Sequence, residues 1–500
     1  MKNIKYNIIK AVALFLLVSS CNDILDETPD NRTTIDSAEK IAELLVGAYP
    51  DAAYAPFLEP MSDNAGDKGP SAETDDDQAT TLNERMFFWE DLNKIDEDTP
   101  TNYWNRAYKA IAQANQALLS IDELNGGSEF DYLRGEALLC RAYAHYMLVN
   151  IFSKAYDPDT AATDVGIPYI SEPETVLLGE YERGTVENVY ENIKADIELG
   201  LPLIEDNYGV GAFHFTKKAA NAFASRFYLT TGEWSKVIEH STLAISGGVQ
   251  ALRDWENDYS PATYSEQTAL YASATLESAN LLLISAESSF DNYHATARYQ
   301  LNSDKRDEIF PSANATGQPW SYSVFGSNDL YYNIPKFQEY FKVTNQAAGT
   351  GNAFVTYVLL STDEALLNRA EAYAMLGQLE NAAADINMSY SVKTEDYLAA
   401  FDELDIDAIQ SRFEVTDPDL YTPFYDIPTE SLAFVNAVLT IKRTIFYNEG
   451  LRWFDNKRHN MVINHEDIFG NIYTLPKGDK RRLLQIPEAA QSFGIEENPR

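Results

Sequence analysis

Apolar residues recur at helical spacing in several long stretches of the chain. Between 101 and 122 the apolar positions advance by three or four residues at a time, through Tyr103, Ala107, Ile111, Ala114, Leu118 and Ile121. This spacing places the apolar side chains on one face of an α-helix. Similar patterns occupy 130–152, 185–204, 216–246, 361–391 and 437–459, and no strong run of alternating residues indicates strands. We therefore predict a mostly helical fold with large loop-rich insertions between the helices.

Two of these stretches share a short pattern that predicts a repeated helical hairpin. The spacing of the tetratricopeptide pattern is matched twice, by Ala370, Tyr373, Gly377, Ala382 and Ile386, and by Ser225, Tyr228, Gly232, Val237 and Ser241. Gly377 and Gly232 can adopt the left-handed conformation that ends the first helix of a hairpin. Because the two copies lie far apart in the sequence, we expect interrupted repeats and no continuous solenoid.

The N-terminal residues have the pattern of a secretory signal. Lys2, Lys5 and Lys10 accompany an apolar stretch that is too short to span a bilayer. Small residues and then Cys21 follow, in an order that resembles a bacterial lipobox. We expect residues 1–20 to be a lipoprotein signal peptide and Cys21 to carry the lipid that anchors the chain in a membrane.

The composition narrows the classes of ligand. The 500 residues include 77 Asp and Glu against 38 Lys and Arg, which gives a formal net charge of −39. Such a charge repels phosphate backbones, so we expect no nucleic-acid partner. Cys21 and Cys140 are the two cysteines, far too few for a disulfide scaffold, and Cys140 lies in an apolar helical pattern typical of a core residue.

The catalytic and metal-binding motifs that we sought are absent or incomplete. The chain has no nucleophile elbow, dinucleotide fingerprint, P-loop or zinc-protease motif. The acidic stretch at 73–77 lacks the spacing of an EF-hand, and His459 and His465 have no second pair of ligands. We predict a binding protein with no enzymatic activity, no cofactor and no metal. Paired carboxylates for glycoside hydrolysis stay open, since acidic residues are abundant and no pair stands out.

Several short segments occur along the chain in an order that matches a known family. They are 104–115, 135–143, 185–196, 369–377, 449–458, 486–487 and 498–499. Together with the lipobox, their order and spacing resemble the SusD/RagB family of nutrient-binding outer-membrane lipoproteins of Bacteroidetes. The resemblance runs from Cys21 almost to Arg500.

The resemblance implies the organisation of the mature chain. We expect a single SusD-like domain at 21–500 with interrupted tetratricopeptide-like helical hairpins. Its repeat helices would lie near 101–156, 185–246, 361–391 and 437–459. The loop-rich ligand-binding lobe would lie near 50–100, 247–360 and 392–436.

The resemblance also implies a function. It suggests a lipid-anchored, surface-facing outer-membrane protein that binds a nutrient oligomer and delivers it to a SusC-like TonB-dependent porter. A glycan is the leading ligand class, and the same architecture binding peptides is the first alternative. A tetratricopeptide scaffold for protein partners and a hydrolase are further alternatives. Acidic residues directly after Cys21 resemble a surface-export signal, although a solvated linker has the same composition.

Aromatic residues outside the repeat helices are the candidate ligand-binding residues. A flat ring stacks on the apolar face of a pyranose, and the resemblance implies an arc of such rings in the lobe. The candidate rings are Trp89, Phe88, Trp320, Tyr322, Tyr331 and Tyr332, and the candidate hydrogen-bonding residues are Asn93, Arg85, Asn328 and Asp329. The alternative for each ring is that it packs its own loop against the core.

A charged group near the C-terminal end has a structural interpretation. Glu449, Arg452, Asp455 and Arg458 are spaced by three residues, which places their charges on adjoining faces of a helix. We expect Arg452 to pair with Asp455 or Glu449 and to lock the last helical hairpin, without a catalytic role.

Overall fold

The computed structural model describes residues 35–500 except 73, 75, 175–178, 180 and 327–329. The expected signal peptide, Cys21, Asn328 and Asp329 therefore lie outside the described residues. Within them the chain is mostly helical, as the sequence pattern predicts.

In the part of the chain that the structure describes, twelve helices have eight or more residues and form most of the core. They are Ala38–Leu45, Asp77–Phe87, Pro100–Glu123, Asp131–Phe152, Val186–Gly200, Lys217–Thr231, Trp234–Ala244, Tyr264–Tyr271, Thr362–Met375, Leu379–Ser391, Leu432–Ile445 and Leu451–Arg458. Shorter helices occupy Ala55–Leu58, Phe290–Tyr293, Ser303–Ile309, Ala399–Asp402, Ile406–Arg412 and Glu488–Ser492.

The helix Asp131–Phe152 runs through the centre of the N-terminal helices. Every residue from 135 to 152 is buried, because the helices Pro100–Glu123 and Val186–Gly200 both pack against it. Its neighbours begin at threonine caps: the Thr99 hydroxyl accepts from the backbone N–H of Asn102, and the Thr185 hydroxyl accepts from that of Asn188. These caps satisfy N–H groups that the first helical turn leaves unpaired.

The two predicted repeats form helical hairpins that meet in space. The first helix of each hairpin ends at a left-handed glycine, with φ of 73° at Gly232 and 70° at Gly377. The helix Thr362–Met375 packs against the helix Trp234–Ala244. The insertion at 247–360 therefore interrupts the repeat in sequence but leaves the two hairpins in contact.

A buried ion pair joins the hairpins. Arg226 of the first hairpin donates two hydrogen bonds to the carboxylate of Glu364 of the second, one of them at 2.6 Å. The same guanidinium donates to the carbonyl oxygen of Leu359 at 2.6 Å. Both charged side chains are buried, so neither charge has water as an alternative partner.

A three-stranded antiparallel sheet lies in the insertion that the sequence analysis described as loop-rich. Thr350–Ser361 is its central strand, with Asn280–Glu287 on one side and Glu339–Asn345 on the other. The strand Asn280–Glu287 contains four consecutive apolar residues at 281–284, and the first three are buried. A strand covered on both faces has no alternation of apolar and polar residues, which explains why the sequence pattern did not indicate it.

Two two-stranded ladders complete the strands of the described chain. Gly66–Asp67 pairs with Tyr299–Gln300, and Ile463–Glu466 pairs with Ile472–Leu475, both antiparallel.

The structure corrects the predicted partner of Arg452. Its guanidinium binds the carboxylate of Asp63 through hydrogen bonds of 2.7 and 2.8 Å, and not Asp455 or Glu449. Asp455 pairs with Lys442 and Arg458, and Glu449 pairs with Lys336. Local spacing indicated the charges as structural but did not reveal Asp63, which lies 389 positions away in sequence.

The left-handed glycine of the second hairpin gives a test of the repeat. We expect Gly377→Val to lower the free energy of unfolding by about 1–3 kcal/mol, because a β-branched residue fits this conformation badly. A Cβ atom at Gly377 would meet nothing within 4 Å, so the cost is conformational. Gly209→Val is the matched control, since Gly209 has equal space and no positive φ. Equal urea midpoints for the two variants would contradict the assignment.

The corrected ion pair gives a second test. We expect Arg452→Ala to lower the free energy of unfolding by about 3 kcal/mol, because it leaves the carboxylate of Asp63 without its main partner. The double variant Arg452→Ala with Asp63→Ala should lose less than the sum of the two single losses in chemical denaturation. Strict additivity would show that these two residues do not interact.

Candidate functional site

An open cleft of about 630 Å³ lies outside the repeat helices, where three segments of the chain meet. It is lined by Ser71, Ala72, Thr74, Asp76, Ser289, Asn292, Tyr293, Thr296, Leu330 and Tyr331. We call it the Tyr331 cleft. Most of these residues carry a hydroxyl, amide or carboxylate group, and one presents an exposed ring.

Strand pairing and an ion pair hold the first two segments side by side. Gly66–Asp67 pairs with Tyr299–Gln300, just before residue 71 and just after residue 296. The carboxylate of Asp67 accepts two hydrogen bonds from Arg298, at 2.7 and 2.9 Å, and one from the backbone N–H of Gly69 at 2.8 Å. The two walls are therefore fixed by contacts that leave the cleft open.

The third segment, which carries Tyr331, is held in place by hydrogen bonds. The ammonium group of Lys68 donates to the carbonyl oxygens of Ala295 and Leu330, at 2.8 and 3.4 Å. Asn333 and Phe325 exchange two backbone hydrogen bonds of 2.7 and 2.8 Å. These contacts position Tyr331 before any ligand arrives, which lowers the entropy cost of binding.

The backbone beside Tyr331 requires a glycine. Gly326 has φ of 106°, and a Cβ atom there would overlap the carbonyl oxygen of Tyr331. The chain can approach Tyr331 this closely because Gly326 has no side chain.

The side chains of the cleft suit a neutral polar ligand with an apolar face. The ring of Tyr331 is 54% exposed, which leaves a surface for stacking. One carboxylate oxygen of Asp76 caps the helix Asp77–Phe87 by accepting from the backbone N–H groups of Gln78 and Ala79, at 2.8 and 3.1 Å. Asn292 and Ser289 add an amide and a hydroxyl group. The arrangement can hold a ligand by stacking and hydrogen bonding.

A buried carboxyl group lies directly behind one wall. Asp98 accepts from the backbone N–H of Ser289 at 3.1 Å and from the hydroxyl of Tyr293 at 3.4 Å, and both of these residues line the cleft. Burial disfavours the charged form and raises the pKa of Asp98 to about 7. The protonation of Asp98 is therefore coupled to the packing of this wall.

The described residues contain no group of three or more His, Cys, Asp or Glu that could hold a metal ion. Across the same part of the chain, no helix is both long and apolar enough to cross a membrane.

The chain resembles known proteins in sequence and in fold. Residues 23–229 match the family model of SusD-like proteins described as starch-binding and associating with the outer membrane. A SusD superfamily protein from Bacteroides thetaiotaomicron has a similar structure, with a TM-score of 0.64 and 18% identity, covering 93% of this chain and 100% of that one. The chain therefore has the fold of SusD superfamily proteins, and its residues 23–229 match the SusD-like family model.

Two further solved structures share the fold of this chain. A putative sugar-binding protein from Bacteroides vulgatus has a TM-score of 0.66 at 19% identity, covering 93% of this chain and 99% of that one. A SusD-like carbohydrate-binding protein from Bacteroides vulgatus has a TM-score of 0.60 at 16% identity, covering 91% and 96%. A comparison with curated protein sequences gave no match. The family model over residues 23–229 and the shared fold over most of the chain both agree with the family expected from the sequence.

The structure places Trp89 in the core of the SusD-like fold. Its side chain is 5% exposed, its indole N–H donates to the carbonyl oxygen of Met61 at 2.8 Å, and its ring stacks on His465 at 4.4 Å. This corrects our expectation of an exposed ring at this position. Trp89 packs its loop, which was the alternative interpretation.

Of the expected rings at 320–332, some are packed against neighbouring residues and one is exposed. Trp320 is half-buried against Trp255, and Tyr322 is buried, with its hydroxyl donating to the carbonyl oxygen of Pro335 at 2.9 Å. Tyr332 is also buried, and its hydroxyl accepts from Arg306 at 2.6 Å. Among these expected rings, Tyr331 alone lines the cleft.

The remaining described candidates lie away from the lining of the cleft. Phe88 packs edge-on against Phe87, Arg85 is exposed and paired with Glu90, and Asn93 is exposed. Trp89 and Trp320 belong to separate hydrophobic clusters, so the structure does not bring them together as one stacking platform.

The sequence analysis missed most of the polar residues that line the cleft. Asp76 belongs to the acidic stretch at 73–77, in which the sequence shows no ligand-binding motif. Asn292, Ser289 and Thr296 carry no motif, because they meet Asp76 only through the pairing of two distant segments.

The buried carboxyl group gives a test by pH. The pKa of Asp98 lies above that of an unfolded aspartate, so its contribution to stability is present below about pH 4 and lost as the pH rises through about 7. Asp98→Asn keeps an acceptor for Ser289 and removes this titration. We expect the variant to lose less unfolding free energy than the wild type between pH 5 and pH 8, as measured by urea denaturation.

The matched control for this test is Asp159→Asn, at an exposed aspartate. This control should retain the pH dependence of the wild type. A pH profile of Asp98→Asn that is identical to wild type would contradict the raised pKa.

Proposed function

We propose that this SusD-like chain binds a glycan in the Tyr331 cleft and performs no covalent chemistry on it. The observation that carries the proposal is the exposed ring of Tyr331 beside Asp76, Asn292 and Ser289 in a preformed cleft. A pyranose presents an apolar C–H face to such a ring and hydroxyl groups to the polar side chains around it. The description of the matched family as starch-binding supports a carbohydrate ligand.

The proposal includes a place and a partner for the protein. The family is described as associated with the outer membrane, and Cys21 follows a lipobox-like sequence, so we propose a lipid anchor at Cys21 in the outer membrane. At that surface the captured oligomer would pass to a SusC-like TonB-dependent porter. Binding of about 4–8 kcal/mol, with many copies on one membrane, suffices for capture and release.

The exposed ring gives the test of this function. We expect Tyr331→Ala to weaken glycan binding by about 1–3 kcal/mol, which is the usual cost of removing a stacked aromatic side chain. The melting temperature should barely change, since an exposed ring contributes little to the core. Calorimetry against a panel of oligosaccharides measures the affinity, and thermal melting of the same samples verifies folding.

Tyr340→Ala is the matched control, because Tyr340 is also an exposed tyrosine but does not line the cleft. It should bind as the wild type does. Unchanged affinity in Tyr331→Ala would place the site elsewhere. Binding of a peptide pool with no response to any glycan would favour the peptide alternative, and release of reducing sugar would reveal a hydrolase.

A further inference from the structure

A second cleft, of about 520 Å³, lies on the repeat side of the molecule and gathers positive charge. Five cations line it: Lys154, Lys457, Arg458, Lys480 and Arg482. Three acids line it as well: Asp157, Asp164 and Asp479. The lining therefore has a formal excess of cations in a chain whose net charge is −39. We call it the Lys457 cleft.

Two of these cations are buried with carbonyl oxygens as their hydrogen-bond partners. The ammonium group of Lys457 donates to the backbone carbonyls of Asn150 and Ser153, the latter at 2.8 Å. The guanidinium of Arg482 donates to the carbonyl oxygens of Pro476 and Leu475, at 3.1 and 3.3 Å, and to two others. In the described part of the chain, neither cation forms a salt bridge with a carboxylate.

This environment disfavours the charged forms of Lys457 and Arg482. Burial and, to a smaller extent, the nearby charge of Arg482 lower the pKa of Lys457 to about 7. Burial likewise lowers the pKa of Arg482 to about 10. A buried cation without a counter-charge is unfavourable, and an anion entering the cleft would relieve that penalty.

The neighbouring cations differ in this respect. Arg458 binds the carboxylates of Glu371 and Asp455, and Lys154 pairs with Asp164. Among the described residues, Lys457 and Arg482 are therefore the buried cations of the lining that have no carboxylate partner, and Lys480 is exposed at the rim.

The rest of the lining suits a sugar ring. Tyr156 and Phe424 are both partly exposed and meet edge to face, with ring centroids 5.7 Å apart. Thr422 and Asn460 add a hydroxyl and an amide group at the same cleft. An aromatic corner next to polar groups can receive the apolar face of a pyranose and bind its hydroxyls.

We propose that the Lys457 cleft binds an acidic sugar residue, with its carboxylate directed to Lys457, Arg482 and Lys480 and its ring against Tyr156 and Phe424. The sugar part of this proposal rests on the proposed function, whereas the anionic part rests only on the charges of this cleft. The site is separate from the Tyr331 cleft, whose lining contains no cation among the described residues.

The experiment uses trigalacturonic acid and its fully methyl-esterified form as probes. The two differ mainly in charge, so calorimetry on the purified protein at low salt isolates the role of the carboxylates. We expect the acid to bind at least about tenfold more tightly than the ester. Equal affinities for acid and ester would overturn the proposal.

Charge variants place the binding in this cleft. Lys480→Gln should weaken binding of the acid about three- to tenfold, and Asp157→Asn should strengthen it, because it removes a negative charge from the lining. Lys477→Gln is the matched control: it neutralises a lysine close to the same turn that does not line the cleft. The same affinity in Lys480→Gln, Asp157→Asn and Lys477→Gln would overturn the assignment.

Further variants and a competition experiment distinguish the possible sources of binding. Tyr156→Ala should weaken binding of the acid if the ring contacts a sugar, and competition by inorganic sulfate at equal concentration would overturn the sugar part. Tyr331→Ala should leave binding of the acid unchanged, and a loss there would place the acid in the other cleft. If no neutral glycan binds the protein, the proposed function fails while the difference between acid and ester still decides this one.

Discussion

The buried pair of Arg226 and Glu364 is the contact on which the arrangement of the rest depends. It joins two helical hairpins whose paired residues are 138 positions apart, and the same guanidinium holds the strand carbonyl of Leu359. Because both charges are buried, each needs the other as its partner. The two hairpins must therefore dock together. The insertion between the hairpins therefore begins and ends at fixed positions. Its three-stranded sheet is thereby placed against the repeat helices.

Similar buried ion pairs occur within the insertion, between the insertion and the core, and beside the second hairpin. Arg253 pairs with Glu277, Lys336 with Glu449, and Lys393 with Asp363, all with side chains that are nearly inaccessible to solvent. Each of these buried cations has a carboxylate as its partner. In the described part of the chain, Lys457 and Arg482 differ from them, because their hydrogen-bond partners are carbonyl oxygens.

These tethers also explain how a loop-rich lobe can carry a preformed site. The walls of the Tyr331 cleft are held by strand pairing, by the pair of Asp67 and Arg298, and by the ammonium group of Lys68. Each contact lies behind the lining, so the exposed ring and polar groups are free to meet a ligand. A lobe ordered in this way loses little conformational entropy when it binds.

The sequence alone determined what depends on neighbouring residues. Helical periodicity and the glycines at 232 and 377 act over short distances, so they indicated the helical fold and the hairpins. The order of the family segments is visible along the sequence without the fold, so it indicated the resemblance to the family. The sequence did not determine the role of each aromatic residue. Trp89 and Tyr331 are equally plausible as stacking rings in the sequence, yet one is 5% and the other 54% exposed. The partner of Arg452 could not be predicted either. Charges at helical spacing lie near one another, and that spacing does not reveal that Asp63, far away in sequence, is the partner.

Only the tertiary structure decided which rings remain exposed, which charges pair, and which polar residues meet at a cleft. Asp76 and Asn292 come together because Gly66–Asp67 pairs with Tyr299–Gln300. The physical reason is that exposure and ion pairing are properties of contacts between segments hundreds of residues apart, and local periodicity carries no record of those contacts.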